Sequence, residues 1–409
     1  MASEQDTLRD ILTAQARRFE KQTFLEFDDQ RFSFAEVDDR TDRVATGLAR
    51  LGLRIGDRVA LLLSNRPEYV FFLLGVPKIG MIPVPIGQDC PREMIPAAVR
   101  ACGASAVVAE GGFADLRNNL PSITHWIMVD DDSFAAPPFE GLAGGSVLGF
   151  WPDLDPEQPA LISRTRGSRG GPKAVALSHR CLVSSALQVL QPFRVDGTDR
   201  FFCALPLSTV AAEVLLVLVP WIAGATCILS RGYSEDTPEL MERAAASVVA
   251  GTPQLFGSIA GSATFARCEM AALRLALCLT GPASEKVFEK FEVRHDALVV
   301  EGYGLVEGTC LTCANPYTGV RKRGSVGLPL QGQECRIVDD RGRELPPGKS
   351  GEIVVRGPNV MKGYDGDPGA TARAIRDGWL HTGDRGHVDS DGYYFLVKQE
   401  ADPRGVLRT

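Results

Sequence analysis

The sequence predicts an α/β protein with two α/β sheet subdomains followed by a small antiparallel β-barrel subdomain. Three observations predict it. Continuous apolar runs alternate with helix-periodic segments between Arg58 and Ala109, the pattern of a parallel sheet covered on both faces. The same alternation returns after Asp155. From about Gly324, glycine, proline and short alternating strands take over, as in a barrel-like antiparallel unit. The three units are placed at residues 1–155, 156–323 and 324–397.

Each element has a local reason. Leu8, Ile11, Leu12 and Phe19 recur at helical spacing. Ser33 and Glu36 form a capping box ahead of a second helix, whose apolar face is Val37, Val44, Leu48 and Leu51. Gly52 and Gly56 stop it. Arg58–Leu63, Ile82–Ile86 and Ala104–Ala109 read as strands, Pro67–Ile79 and Arg92–Ala101 as helices. In the second unit a strand ending at Ala160–Ser163 enters a glycine-rich loop. Phe201–Leu205, Thr226–Leu229, Ser247–Ala250, Leu275–Leu279 and Leu298–Glu301 read as further strands with helices between them. In the third, Glu334–Val338, Gly351–Arg356, Gly386–Val388 and Tyr393–Val397 are short strands, and Asp339–Gly342 is a hairpin turn.

Composition excludes several functions. Fifty-one acidic against 44 basic residues give a net charge of −7, which argues against a general nucleic-acid binder. The N-terminal residues show no signal peptide, and a cytoplasmic location is expected. The apolar run near Val210–Leu229 is broken by Glu213, Pro220 and Gly224, so it reads as a buried helix and strand, not a membrane span. The ten cysteines are scattered and several lie in apolar runs. Cys310 and Cys313 have no second pair at zinc spacing, so reduced core thiols are expected.

Three segments carry chemistry. Ser163–Lys173 is expected to follow a strand and precede a helix. Its glycines let backbone N–H groups approach an anion, and Lys173 closes the loop. Its spacing is not that of the common P-loop. A solvated basic loop is the alternative. The second segment, Val299–Glu307, runs from a strand into a glycine turn, the place where α/β sheets bind nucleotides. There Tyr303 can stack on a base and Glu307 can hold Mg²⁺; a core tyrosine and a surface glutamate are the alternative. The third, Gly378–Asp384, places an acid after a tight turn, suited to gripping two ribose hydroxyls or to capping the turn.

In this order the segments resemble the adenylate-forming superfamily of acyl-CoA synthetases, peptide-synthetase adenylation domains and luciferases. The resemblance spans Leu8–Asp402, and Gly324–Pro329, Gly348–Ile353, Gly363-Tyr364 and Asp391–Tyr393 also match. It implies a large N-terminal domain of the predicted build, Mg-ATP activation of a carboxylic acid to an acyl-adenylate, and transfer of the acyl group to CoA. It also implies that 398–409 begins the hinge, and that the mobile C-terminal domain with the adenylation lysine is not in the chain. Carried over residue by residue, it assigns nucleotide binding to Thr280, Gly281, Pro282, Glu301, Gly302, Tyr303, Gly304, Val306 and Asp384, and metal binding to Glu307.

Against the family pattern, the triphosphate side departs. The phosphate loop reads Thr165, Arg166, Gly167, Ser168, Arg169, Gly170 and Lys173, with two arginines where the family has small residues. Val306 replaces a threonine, Thr209 a histidine, Gln399 an arginine and Ala401 a hinge residue. Thr209, Phe256 and Val326 are expected to line a pocket for a bulky, uncharged acyl group. The pattern is compatible with non-adenylating acyl-CoA ligases of actinobacterial antibiotic pathways such as platensimycin biosynthesis. The expected substrates are acyl-AMP and CoA, with Mg²⁺ needed if ATP is used, and a separate adenylating enzyme as a candidate partner. A complete two-step ligase and a non-catalytic acyl-adenylate-binding protein stay open as alternatives.

Overall fold

The computed structural model describes residues 3, 5–87, 89–130, 141–142, 144, 146–165, 171–281 and 283–397. It is a mixed α/β fold built on four sheets. The largest has nine strands. Its parallel centre runs in space from Leu298–Leu305 through Leu275–Leu279, Val248–Gly251, Arg200–Cys203 and Thr226–Leu229 to Thr23–Phe27. Antiparallel strands flank it: Cys310–Ala314 and Leu328–Pro329 at one edge, Gln30–Ser33 at the other. The four-stranded sheet is parallel, in the order Ile82–Pro85, Arg58–Leu62, Ala106–Ala109, His125–Met128. A five-stranded antiparallel sheet, curled like a half-barrel, joins Glu334–Val338, Gly351–Arg356, Trp379–Val388, Ile375–Arg376 and Tyr394–Leu396. The smallest pairs Pro159–Arg164, Ala174–Ser178 and Gly363–Tyr364.

Local signals translate directly. Ser33 accepts from the Glu36 amide at 3.2 Å and Glu36 accepts from the Ser33 amide at 2.7 Å, closing the capping box of helix Phe34–Arg50. The apolar run after Val210 becomes a π-helical segment, Ala212–Leu218, a short α-helix and the Thr226–Leu229 strand. Among the described residues no helix is long and apolar enough to cross a membrane. The main core extends from helix Leu8–Phe19 through both parallel sheets to the half-barrel.

Two placements differ from the sequence reading. The Thr23–Ser33 hairpin was not expected, and it extends the large sheet by pairing with residues some 200 positions away. Such pairing leaves no local periodicity to read. The glycine-rich loop does not run into a helix either. Residues 166–170 lie outside the described residues, but Ala174–Ser178 on the far side is a strand, antiparallel to Pro159–Arg164. The helix begins only at His179, so its N-terminus is a strand's length away from the loop.

Candidate functional site

The site gathers where the strands Leu275–Leu279 and Leu298–Leu305 leave the parallel sheet and meet the half-barrel. Tyr303 is not in a turn, as the sequence suggested, but inside the Leu298–Leu305 strand, which bulges between Tyr303 and Gly304. Glycine is obligatory next to it. A Cβ at Gly304 would stand 1.6 Å from the Cys310 carbonyl oxygen. The close crossing of the two strands tucks the Tyr303 ring into the core, and its hydroxyl donates to Asp384 Oδ2 at 2.7 Å. Burial, then the Asp384 carboxylate, pushes the phenol well above its ordinary range, so it stays a donor.

Asp384 also lies within a strand, Trp379–Val388. The strand is irregular there: Glu352 pairs with Arg385 and Val354 with His381, so extra residues bulge outward. Gly383 adopts φ +75°. Thr382 Oγ1 accepts from the Asp384 amide at 3.0 Å and donates to the Ile353 carbonyl at 2.7 Å. The bulge turns a half-buried carboxylate toward the Tyr303 hydroxyl, while the Tyr303 ring itself is buried in the main core.

Beside them, Thr280 and Gly281 end the Leu275–Leu279 strand with φ of +75° and +156°. Pro282 lies outside the described residues. Glu301, expected to contact nucleotide, does something else with its carboxylate. It is buried, Oε1 accepts from the Ala283 amide at 3.0 Å, and Oε2 accepts from the Gly324 amide at 3.1 Å. Burial raises its pKa and the two amides oppose the shift. Both oxygens are committed to protein, so Glu301 braces the Thr280-Gly281 loop against the entry to the half-barrel. Gly302 packs under Leu311, where a Cβ would stand 2.8 Å from Cδ1.

The loop base is pinched shut. The Thr165 amide donates to the Lys173 carbonyl at 3.0 Å, and Lys173 N–H donates to Thr165 Oγ1 at 2.9 Å. Arg166, Gly167, Ser168, Arg169 and Gly170 lie outside the described residues, as do Gln399 and Ala401. The Lys173 ammonium sits 4.4 Å from the centroid of the Tyr364 ring. The Tyr364 hydroxyl donates to Glu307 Oε1 at 2.7 Å. Val306 and Glu307 form a short helical turn, Val306–Gly308, after which Thr309 and Cys310 are both left-handed, with φ of +49° and +85°. Two successive non-glycine residues in that region mark a backbone held by its surroundings. Thr309 Oγ1 donates to the Asn359 carbonyl at 2.5 Å, and Asn359 Nδ2 donates to the Gly308 carbonyl at 2.7 Å.

No cluster of three or more His, Cys, Asp or Glu able to hold a metal occurs among the described residues. Glu307 still fits Mg²⁺. Among the described residues only its Oε1 takes a hydrogen bond, and Mg²⁺ is usually bound by one or two carboxylates plus substrate phosphates.

Two of the expected acyl-pocket residues, Val326 and Phe256, pack in different core clusters. Thr209 Oγ1 donates to the Pro206 carbonyl at 2.8 Å and accepts from the Ala212 amide at 3.4 Å, so it caps the following helix. Val326 is buried in the main core. Phe256 is a correction: it is fully buried in a second core cluster, edge-on to Phe291 at 5.3 Å. Residue type alone cannot distinguish a pocket wall from a core wall. Sequence reasoning also gave Tyr364 no role, although Gly363-Tyr364 was visible as a matching stretch. Its importance lies in contacts that no motif spacing encodes.

The family described as AMP-binding enzyme matches residues 12–365. A feruloyl-CoA synthase from Amycolatopsis is 31% identical over 90% of this chain and 74% of its own length. A long-chain-fatty-acid–CoA ligase from Escherichia coli is 29% identical over 90% of this chain and 72% of its own. Among solved structures, ATP-bound MatB from Rhodopseudomonas palustris superposes with a TM-score of 0.87 at 26% identity, covering 96% of this chain and 79% of that one. An anthranilate CoA ligase in complex with anthranoyl-AMP shares the fold with a TM-score of 0.91 at 22% identity, covering 97% and 78%. The chain belongs to the AMP-binding enzyme family, in the acyl-CoA ligase branch of the adenylate-forming superfamily.

Proposed function

We propose that this chain takes a preformed acyl-adenylate and passes its acyl group to coenzyme A, with the ATP-consuming half-reaction impaired. The asymmetry of the site carries this reading. On the AMP side, Tyr303 and Asp384 are preset by their 2.7 Å bond. On the triphosphate side, Val306 offers no hydroxyl beside Glu307; on the acyl side, Thr209 stands in place of a histidine and its hydroxyl is engaged with Pro206 and Ala212. In sequence, Arg166 and Arg169 stand where the family has small residues. A guanidinium is long, planar and permanently charged, so it would fill the pyrophosphate space or hold the loop elsewhere by salt bridges.

An acyl-adenylate should accordingly bind far more tightly than ATP. Calorimetric titration with an acyl-sulfamoyl adenosine and with ATP checks this, and equal affinities would sink it. Mg²⁺, held by Glu307, would serve by neutralising phosphate charge. A separate adenylating enzyme would supply the acyl-AMP. Hydroxycinnamic and fatty acids, the acids named for the relatives, are the first acyl groups to try.

A complete two-step ligase is the second reading, favoured by the intact contact of Lys173, Tyr364 and Glu307. Exchange of labelled pyrophosphate into ATP, measured on the full native protein with a panel of acids, decides between them. The expected result is no exchange above background, with thioester formed from synthetic acyl-AMP and CoA. Arg166→Ser, Arg169→Thr and Val306→Thr together should raise exchange about tenfold or more, the scale of one regained hydrogen bond to a charged phosphate. If the wild type already exchanges at the reverted rate, the two-step reading holds. Binding of acyl-AMP without thioester formation would leave only a binding protein.

A further inference from the structure

Residues 359–365 form a strap between the two halves of the phosphate side. At one end the strap is fastened to the Glu307 turn: Asn359 bonds Gly308 and Thr309, and the Met361 amide donates to the Glu307 carbonyl at 2.8 Å. At the other end it pairs with the loop hairpin. The Lys362 amide donates to Ala176 O at 2.9 Å, the Asp365 amide to Ala174 O at 2.8 Å, and Tyr364 sits opposite Val175. Gly363 and Tyr364 are also locked from behind, since a Cβ at Gly363 would meet Thr371 Cγ2 at 2.7 Å and Tyr364 N–H donates to Thr371 Oγ1 at 2.9 Å. The backbone thus delivers the Tyr364 side chain into the gap between Lys173 and Glu307.

We propose that Tyr364 is a positioning residue that couples the phosphate loop to the cation-binding turn, its ring carrying Lys173 and its hydroxyl orienting Glu307. The proposal rests on the reading of Lys173 as a phosphate contact and Glu307 as a metal ligand. The hydroxyl takes one acceptor site of Oε1 and so favours one orientation of the carboxylate, with Oε2 left to a cation. The ring face gives the ammonium a resting place that is weaker than a carboxylate, so Lys173 can leave for a phosphate without breaking an ion pair. A direct Lys173–Glu307 pair would block both ligands; the tyrosine between them keeps the two charges apart and near each other.

Tyr364→Phe separates the two roles, because the ring and its hold on Lys173 remain while the hydroxyl is lost. The test is Mn²⁺ binding, followed by electron paramagnetic resonance, to the full protein with saturating AMP. Glu307→Gln serves as the metal-ligand control, and AMP affinity in EDTA is measured alongside. In Tyr364→Phe, Mn²⁺ should bind about threefold to tenfold more weakly, with AMP affinity in EDTA unchanged, since a loosened carboxylate must be ordered again at each binding event. Tyr364→Leu should in addition tighten the binding of inorganic pyrophosphate, because Lys173 no longer gives up a ring contact when it leaves for a phosphate; weaker pyrophosphate binding would overturn the resting-place role of the ring. Mn²⁺ binding that is unchanged or tighter in Tyr364→Phe overturns the proposal and leaves the metal reading standing. Mn²⁺ binding that is equal in wild type and Glu307→Gln removes the metal reading of Glu307, and the proposal with it.

Discussion

Replacing Asp384 with alanine should weaken acyl-adenylate binding about a hundredfold. The carboxylate projects from a strand bulge with its amide held by Thr382, and one oxygen already accepts from Tyr303. Two ribose hydroxyls arriving at such a group make charge-assisted bonds, each worth about 1.5–3 kcal/mol. Losing one in full and the other in part gives about 2.8 kcal/mol, which is about a hundredfold. The substitution also strips the buried Tyr303 hydroxyl of its acceptor, a stability cost of about 1–3 kcal/mol. Tyr303→Phe separates the two effects, because it removes the internal bond and keeps both the ring and the carboxylate. Calorimetry with an acyl-sulfamoyl adenosine should show a loss of only a few-fold for Tyr303→Phe and the large loss for Asp384→Ala alone and for the double variant. If Asp384→Ala binds as tightly as wild type, the carboxylate serves the protein, as the acceptor of the Tyr303 hydroxyl, and the ribose assignment fails.

What could be read from the sequence follows the range of the interactions involved. The strands Leu275–Leu279 and Thr226–Leu229 were legible to the residue because a fully buried parallel strand is a continuous apolar run bounded by polar turns. The Ser33–Glu36 box was legible because both partners lie within one helical turn. The Thr23–Phe27 strand was not, since its partners Cys227–Leu229 lie far along the chain. Tyr303, Glu307 and Asp384 could be picked out by motif, but not the 2.7 Å bond that joins the first to the last across 81 positions. The partners of the Glu301 carboxylate were hidden for a related reason. A buried carboxylate looks the same in sequence whether it faces a ligand or two backbone amides. Phe256 looked like a pocket residue because an aromatic in an apolar helix carries no mark of which face it packs on.

Glu213 gives the fold a large pH effect between pH 5 and pH 9. It stands on the π-helical segment four residues after Thr209, 1% exposed, with Oε1 accepting from Tyr69 at 3.3 Å and Oε2 without a partner among the described residues. Tyr69 and Cys310 beside it are themselves held protonated by burial, and among the described residues no cation pairs with its carboxylate. Burial therefore pushes the carboxyl up to about 8 from its ordinary 4.5, and the Tyr69 hydroxyl only partly offsets it. The folded state holds this proton where the unfolded state releases it. The stabilisation is fully present below pH 4.5 and is lost as pH rises through about 8. At 1.36 kcal/mol for each pH interval of one, the span from 4.5 to about 8 corresponds to up to about 5 kcal/mol. Glu213→Gln imitates the protonated acid at every pH. In urea denaturation the variant should match wild type near pH 5 and exceed it by several kcal/mol at pH 9. His179, pushed down to about 4 by burial, erodes stability as pH falls below its ordinary 6.5, but it does so in both proteins and cancels in the difference. A difference that stays constant from pH 5 to pH 9 would mean that Glu213 ionises as readily in the folded chain as in the unfolded one. Water would then have to reach Oε2 beneath the mouth of the Thr209 helix, and the interior there would be wet instead of closed.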